Sequence, residues 1–370
     1  MRSPQNVLVT GGSGFIGANF VHYLFAQSEF TGRIVNADVL TYAGNPDNLV
    51  EIESRFGPGG TDAADRYTFE RCDICNADAL RALFSRYEFD TVVHFAAESH
   101  VDRSITGPRA FIETNVIGTF NLLETARENW VAAGSALSGG HNDVLFHHVS
   151  TDEVFGSLGS QGAFHEETPY DPRSPYSASK ASSDHLVRAY GHTYGLPFTI
   201  SNCSNNYGPY QFPEKMIPLM ILNALEGKQL PVYGDGSNVR DWLYVEDHAD
   251  AIWRILLNGR SGETYLVGGE NEWQNIKLVR TICDKIDTMV GKPASRCADL
   301  IRFVKDRPGH DLRYAVCCDK IKSELGWHQR HPFGPGLDAT IAWYRDNAAW
   351  VNRVRTGAYQ DWIEANYARR

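Results

Sequence analysis

Along residues 6–205, short apolar runs alternate with longer segments of mixed polarity, and the two periods assign them to strands and helices. "NVLVTGG" reads as a strand, and "GFIGANFVHYLFAQ" as an amphipathic helix after it. "RIVNAD" is a second strand and "YTFERCDI" a third. "NADALRALFSRY" is then a helix opened by an Asn cap. "DTVVHFAA" is a fourth strand, and "PRAFIETNVIGTFNLLETARENW" a long helix with Pro108 at its start. "DVLFHHVST" is a fifth strand, "PYSASKASSDHLVRAYGHTYG" a helix closed by Gly195, and "FTISNCSN" a sixth strand. Nearly continuous apolar strands alternating with helices predict an α/β fold, a doubly wound parallel sheet covered on both faces.

The rhythm breaks after residue 205. Turn-rich stretches ("NNYGPYQFPEK", "YGDGSN", "DRPGHD") separate isolated strands ("LPVYG", "ETYLVGG") from helices ("IKLVRTICDKIDTMV", "GLDATIAWYRDNAAWVNRV"). The expected organisation is a first domain over residues 1–205 and a smaller C-terminal lobe over 206–370, with some segments returning to the first domain. "RFGPGGTDAAD" and "AAGSALSGGHND" are Gly/Ala/Ser-rich and read as exposed loops.

Composition adds limits. The 370 residues are 42% hydrophobic and 22% charged, which is globular rather than disordered. A formal net charge of -10 disfavours nucleic acid and anionic membranes as partners. No run reaches the ~18 apolar residues of a membrane helix, and no signal-peptide stretch precedes the first glycines. A cytoplasmic protein is expected. Seven cysteines at irregular spacing agree, since one C-x-x-C (Cys72, Cys75) lacks the second pair a zinc site wants. The expectation is free structural thiols and no metal.

Two motifs carry chemistry. Gly11-x-x-Gly14-x-x-Gly17 lies between the first strand and the first helix. Glycines there permit a tight turn and bring backbone close to a pyrophosphate, which the helix N-terminus attracts. Asp38 ends the second strand, where an acid accepts from a ribose 2′-hydroxyl and repels a 2′-phosphate. That favours NAD over NADP in a Rossmann-type domain. Asp73 and Ile74 would flank the adenine, and Phe95-Ala96-Ala97 leave room for the cofactor. "YSASK" then places Tyr176 and Lys180 on one helix face. A nearby ammonium and an oxidised nicotinamide would both favour the phenolate, making Tyr176 a base for a hydroxyl proton. His94, His147 and His148 sit on apolar strands and read as packing residues. Thr151, Asp152 and Glu153, in "VSTDEVFG", are more open: either a capped, solvated turn or two acids held together for chemistry.

Together with these motifs, "VSTDEVFG", "AAESHVDRSITGP", "NCSNNYGPYQFPEKMIP", "VYGDGSNVRDWLYVEDHADA" and "DRPGHDLRYA" resemble the dTDP-glucose 4,6-dehydratases, in the nucleotide-sugar branch of the extended short-chain dehydrogenase/reductases, over essentially the whole chain. Phe155 stands where that family usually has Tyr. The resemblance implies conversion of dTDP-glucose to dTDP-4-keto-6-deoxyglucose and water with tightly bound NAD, and a homodimer built on the long helix and the Tyr176 helix. It implies Glu153 as the base at C5, Asp152 as the acid for the C6 hydroxyl, and Thr151 beside Tyr176 at the C4 hydroxyl. Cofactor contacts extend by resemblance to Phe15, Ile16, Val39, Leu40, Thr41, Ser99, Thr114 and Asn206. Substrate contacts would be Ser99, His100, Asn205, Lys215, Met216, Pro231, Tyr233, Arg240, Asn275, Arg307, His310 and Tyr359. Arg240 and Arg307 suit a diphosphate, which a guanidinium meets bidentately. The alternatives are a UDP-glucose 4,6-dehydratase, an epimerase or decarboxylase of the same fold, which Asp152-Glu153 disfavours, and a non-catalytic NAD-sensing regulator.

Overall fold

The computed structural model describes residues 1–62, 65–132, 143–291 and 296–355, with Ile363 and Asn366. Seven strands form one all-parallel sheet: β1 (Asn6–Thr10), β2 (Arg33–Asp38), β3 (Tyr67–Arg71), β4 (Thr91–His94), β5 (Leu145–Thr151), β6 (Phe198–Cys203) and β10 (Thr264–Val267). Their spatial order is β10-β6-β5-β4-β1-β2-β3. The order reverses between β4 and β1, so a crevice opens at the carboxyl ends of those strands. The strands are apolar throughout because helices cover both faces. On one face the helix Phe15–Ala26 packs with the helix Val245–Asn258 around Phe20, Val21, Ile252 and Trp253. On the other, the helix Ala77–Tyr87, the long helix 108–132 and the helix Pro175–Tyr194 enclose Leu80, Leu122, Val187 and Phe198.

Several local expectations hold for physical reasons that the structure makes visible. Asn76 accepts from Ala79 N and opens Ala77–Tyr87. Gly195, at φ +72°, closes the helix Pro175–Tyr194 in the left-handed conformation only glycine adopts freely, and the structure adds a capping box of Ser174 and Ser177 ahead of Tyr176. Others are corrected. The helix Phe15–Ala26 is not amphipathic: it is apolar on most of its circumference because it packs against the sheet and also against the helix Val245–Asn258 beside it. The 108–132 helix is continuous but not uniformly α, having π-helical stretches at Ile112–Gly118 and Glu128–Ala132. "GLDATIAWYRDNAAWVNRV" is two helices, Phe333–Asp346 and Ala348–Val354, parted at Asn347, whose φ and ψ leave the helical range.

Beyond residue 205, β7 (Asn205–Tyr207), β9 (Val239–Tyr244) and β11 (Glu272–Gln274) form a small sheet, and β8 (Leu230–Tyr233) pairs with β12 (Ile301–Val304). The helices Met216–Glu226, Asn275–Met289 and Phe333–Asp346 share a separate core around Ile217, Ile221, Leu278, Ile282 and Leu337. β10 and the helix Val245–Asn258 return to the large sheet. No helix among the described residues is long and apolar enough to cross a membrane.

Candidate active site

A cavity of about 500 Å³ runs along the carboxyl ends of the sheet strands and under the smaller lobe. At the end of β1, Gly11 has φ +70°, and a Cβ there would lie 2.6 Å from Ala96 N. A Cβ on Gly17 would lie 2.4 Å from Gly11 O. Both glycines are therefore demanded by the turn itself. Gly14 N-caps the first helix without a side-chain hydrogen bond, and Phe15, Ile16 and Gly17 line the cavity, so the free N–H groups of the first turn lie at its wall. Asp38 ends β2 and accepts from Ser13 N (3.0 Å) and Leu40 N (2.8 Å), which fixes its carboxyl at the wall. Val39, Thr41, Asp73, Ile74, Phe95, Ala96, Ala97, Ser99, Thr114 and Asn206 also line the cavity. Leu40 does not; its part is the backbone bond to Asp38. The Asn206 amide is committed inward, to Ser204 O (2.9 Å) and His248 Nδ1 (2.9 Å). These features fit a dinucleotide: a glycine turn, a helix start with free donors and a fixed acid at the end of the second strand.

At the end of β5 the chain turns into a 3₁₀ segment, Asp152–Phe155, capped by Thr151 Oγ1, which accepts from Glu153 N. Turn and site coincide, because the capped turn is buried rather than solvated. Thr151, Asp152, Glu153, Tyr176 and Lys180 all line the cavity. Burial and the Glu153 charge push Asp152 well above the usual carboxylate range. Burial also raises Glu153, but Arg307, Arg240 and Lys215 pull it back. Burial, then Glu153, drive the Tyr176 hydroxyl well above the ordinary tyrosine value, and only a Thr151 hydrogen bond opposes them. Lys180 donates to Val149 O (2.8 Å), and burial lowers its ammonium to about 8.

Asn205, at the boundary of the two parts, and Lys215, Met216, Pro231, Tyr233, Arg240, Asn275, Arg307 and His310 of the smaller lobe line the same cavity, as do Ser99 and His100. Lys215 donates to Ser99 O (2.8 Å) and bridges the two parts. Arg240 is buried, with its guanidinium on Val239 O (2.7 Å) and Asp311 O (2.9 Å) and over the Tyr314 ring, so its fork is partly committed within the protein. Arg307 Nε and the Oδ1 atoms of Asn205 and Asn275 are buried without a hydrogen-bond partner among the described residues. Unpaired donors and acceptors at a cavity wall suit a polar ligand. Tyr359 lies outside the described residues.

The sequence profile of the GDP-mannose 4,6 dehydratase family matches residues 8–340. The dTDP-glucose 4,6-dehydratase of Salmonella typhimurium is 52% identical over 98% of this chain and 99% of its own. The chain belongs to the dTDP-glucose 4,6-dehydratase family. Among solved structures, a dTDP-glucose 4,6-dehydratase of Bacillus anthracis in complex with NAD shares 44% identity at a TM-score of 0.80, covering 95% of this chain and 99% of that one. The dTDP-glucose 4,6-dehydratase DesIV of Streptomyces venezuelae, with NAD and a dTDP ligand bound, also shares 44% identity, at a TM-score of 0.82 over 94% and 99%.

Within this dehydratase family the Phe155 departure has a simple accommodation. Its ring stacks on Phe164 (centroids 5.2 Å apart) and meets Tyr170 edge-on, in a pocket that asks for no hydroxyl. Sequence reading passed over other cavity residues. Asp102 accepts from the Tyr233 hydroxyl (2.8 Å), and Glu214, nearly fully buried, pairs with Arg103 (2.9 Å). Both acids lie inside quoted motifs, "SHVDRS" and "FPEK", so the signal was an acid beside a base. His94 packs between Thr10 (2.7 Å) and Thr119 (2.9 Å), and His147 between Thr199 and Ser201, as packing residues do. His148 differs, because it touches Lys180. All seven cysteines are free. Among the described residues no cluster of three His, Cys, Asp or Glu could hold a metal.

Proposed function

We propose that this enzyme converts dTDP-glucose to dTDP-4-keto-6-deoxyglucose and water. Two adjacent acids at the cavity wall beside Tyr176 carry the reading, Asp152 buried and raised well above the carboxylate range and Glu153 half-buried and drawn back by Arg307, Arg240 and Lys215, because elimination needs one group to take a proton and another to give one. NAD, when bound, supplies a two-electron acceptor for the C4 hydrogen and gives that hydrogen back at C6. Tyr176 takes the C4 hydroxyl proton, with Thr151 hydrogen-bonded to the same hydroxyl and Lys180 favouring the phenolate. The new ketone acidifies C5. Glu153 takes the C5 proton, and Asp152, protonated beforehand, gives its proton to the departing C6 hydroxyl, so that water leaves. After C6 is reduced, Glu153, having exchanged its proton with solvent, returns a proton to C5. The proton gained by Tyr176 balances the one lost by Asp152, and solvent exchange resets both.

The same proposal assigns residues 1–205 to the cofactor and the chemistry, and 206–370 to the nucleotide sugar, with β10 and Val245–Asn258 returning to the sheet. Arg307, Asn205 and Asn275 offer polar atoms with no hydrogen-bond partner among the described residues. Arg240 contributes charge more than a free fork. A homodimer is part of it: Ile112, Ile117, Phe120 and Tyr194 are exposed apolar residues on the two helices expected at a two-fold contact. So is a cytoplasmic location, which the seven free thiols support.

The test is incubation with dTDP-glucose and, separately, UDP-glucose, with products identified by NMR. The 4-keto-6-deoxy product should form from dTDP-glucose with the higher kcat/KM. One thymine methyl is worth about 1–3 kcal/mol, so a preference of about ten- to two-hundredfold is expected. A 4-epimer as product, or no conversion of dTDP-glucose, overturns the reading.

A further inference from the structure

Behind the reacting groups lies a buried cluster that this chemistry does not use. Asp184 stands four residues after Lys180, on the same face of the helix Pro175–Tyr194, and is fully buried. Its Oδ2 accepts from Ser150 Oγ (2.9 Å), the Tyr170 hydroxyl (2.8 Å) and Asn202 Nδ2 (3.3 Å). Its Oδ1 lies 3.1 Å from His148 Nε2, and Lys180 Nζ lies 3.4 Å from that same nitrogen. Asn202 also donates to the Thr151 carbonyl (3.0 Å). A carboxylate this deep is costly unless something nearby needs its charge.

We infer that Asp184 is a positioning residue for the redox half of the reaction: its carboxylate is the counter-charge that keeps Lys180 an ammonium, and its hydrogen bonds steady the end of β5 that carries Thr151. This rests on Tyr176 and Lys180 acting as proposed above. The titratable groups around Lys180 are His94 on β4, His148 on β5, Cys203 on β6, and Tyr176 and Asp184 on its own helix. Burial and the Lys180 charge hold His148 neutral, at about 4, and burial keeps His94 neutral too. Burial pushes the Cys203 thiol up to about 12, and Tyr176 is raised as well. Asp184 differs. Burial opposes its ionisation, but His148, Lys180 and Ser150 outweigh burial and leave it below its ordinary value. It supplies the negative charge in this group near neutral pH. For Lys180, burial lowers the amine and Asp184 works against that lowering. Removing the Asp184 charge therefore makes Lys180 lose its proton at lower pH.

Two readouts test this on the NAD-loaded enzyme. One is the pH dependence of the first-turnover rate of NADH formation with dTDP-glucose. The other is competitive acetylation of the Lys180 amine by acetic anhydride across pH, read by mass spectrometry, which needs no turnover. In Asp184→Asn, and in Asp184→Ser should the first variant fold poorly, the alkaline limb and the acetylation midpoint should both move down by about one pH unit or more. Asp184→Glu keeps the charge and should keep both midpoints, even where the rate falls. Midpoints that superpose on the wild type, with only a lower rate or melting temperature, overturn the inference. If the wild type forms no NADH, the roles of Tyr176 and Lys180 fail instead, and the acetylation midpoints alone decide whether Asp184 holds the ammonium.

Discussion

Asp152 and Glu153 are neighbours in sequence, yet their surroundings separate their chemistry. Burial raises both, but the Glu153 charge pushes Asp152 further up, whereas Arg307, Arg240 and Lys215 draw Glu153 back. Asp152→Asn and Glu153→Gln keep shape and remove proton transfer, so elimination should slow by about 10²–10⁴-fold. C4 oxidation should survive in both variants, and bound NADH should build up after dTDP-glucose is added, visible by its absorbance. Tyr176→Phe should show no NADH at all. Glu153→Gln turning over at the wild-type rate would contradict the roles given to the pair. At this scale the glycines, Asp38, Tyr176 and Lys180 were legible because each combines a residue type with a spacing. The triplet became legible only through family resemblance, since a capped turn has the same spelling. Burial and then Glu153 raise the Tyr176 hydroxyl, so the phenolate expected there depends on the oxidised nicotinamide as well as on Lys180.

The helices divide by what their ends and faces report. Caps at Asn76 and Gly195 are local chemistry and were readable. The π-helical turn Ile112–Gly118 was not, because it answers to tertiary bonds: Asn115 within it bonds Glu98 N (2.8 Å), Glu98 O (3.0 Å) and Ser179 Oγ (2.8 Å). The same turn exposes Ile112 and Ile117, with Phe120 just beyond. Light scattering at micromolar concentration should give a dimer mass for the wild type and a monomer mass for Ile117→Glu/Phe120→Glu. A wild-type monomer would remove the dimer from the account. At the start of the first helix, Gly17→Ala would place Cβ against Gly11 O and Gly12 Cα (2.4 and 2.8 Å), both backbone. It should cost about 1–3 kcal/mol in denaturant melts and lower the NAD content of the purified protein. Unchanged stability and NAD content would show that the turn can widen.

Across the whole molecule, the alternation of periods was enough for the parallel sheet, but not for the chain's return to it. The helix Val245–Asn258 covers a sheet laid down much earlier in sequence, and nothing local in "VEDHADAIWRILLN" names that partner. The fold also buries titratable groups whose cost appears in acid. Burial holds His147 and His248 neutral, at about 3. A histidine pKa depressed below its unfolded value of about 6.5 means the unfolded chain binds the extra proton. Its stabilising share is complete above about 6.5 and falls as pH drops toward the folded value. Asp152, raised, works in the opposite sense, so a difference between variants is the clean measure. His248→Gln should flatten the slope of unfolding free energy against pH, between about 4 and 6, by about 1.4 kcal/mol per unit. An unchanged slope would mean His248 is charged in the folded protein. The central claim is that Glu153 and Asp152 carry an elimination inside a redox cycle that closes on itself. Turnover of dTDP-glucose carrying deuterium at C4, in ordinary water, with the product examined by NMR, and the mirror experiment with unlabelled sugar in deuterated water, follow both hydrogens at once. The account predicts that the C4 hydrogen appears at C6 and a solvent hydrogen at C5. A product that retains its original C5 hydrogen throughout, or loses the C4 label to solvent, would contradict it.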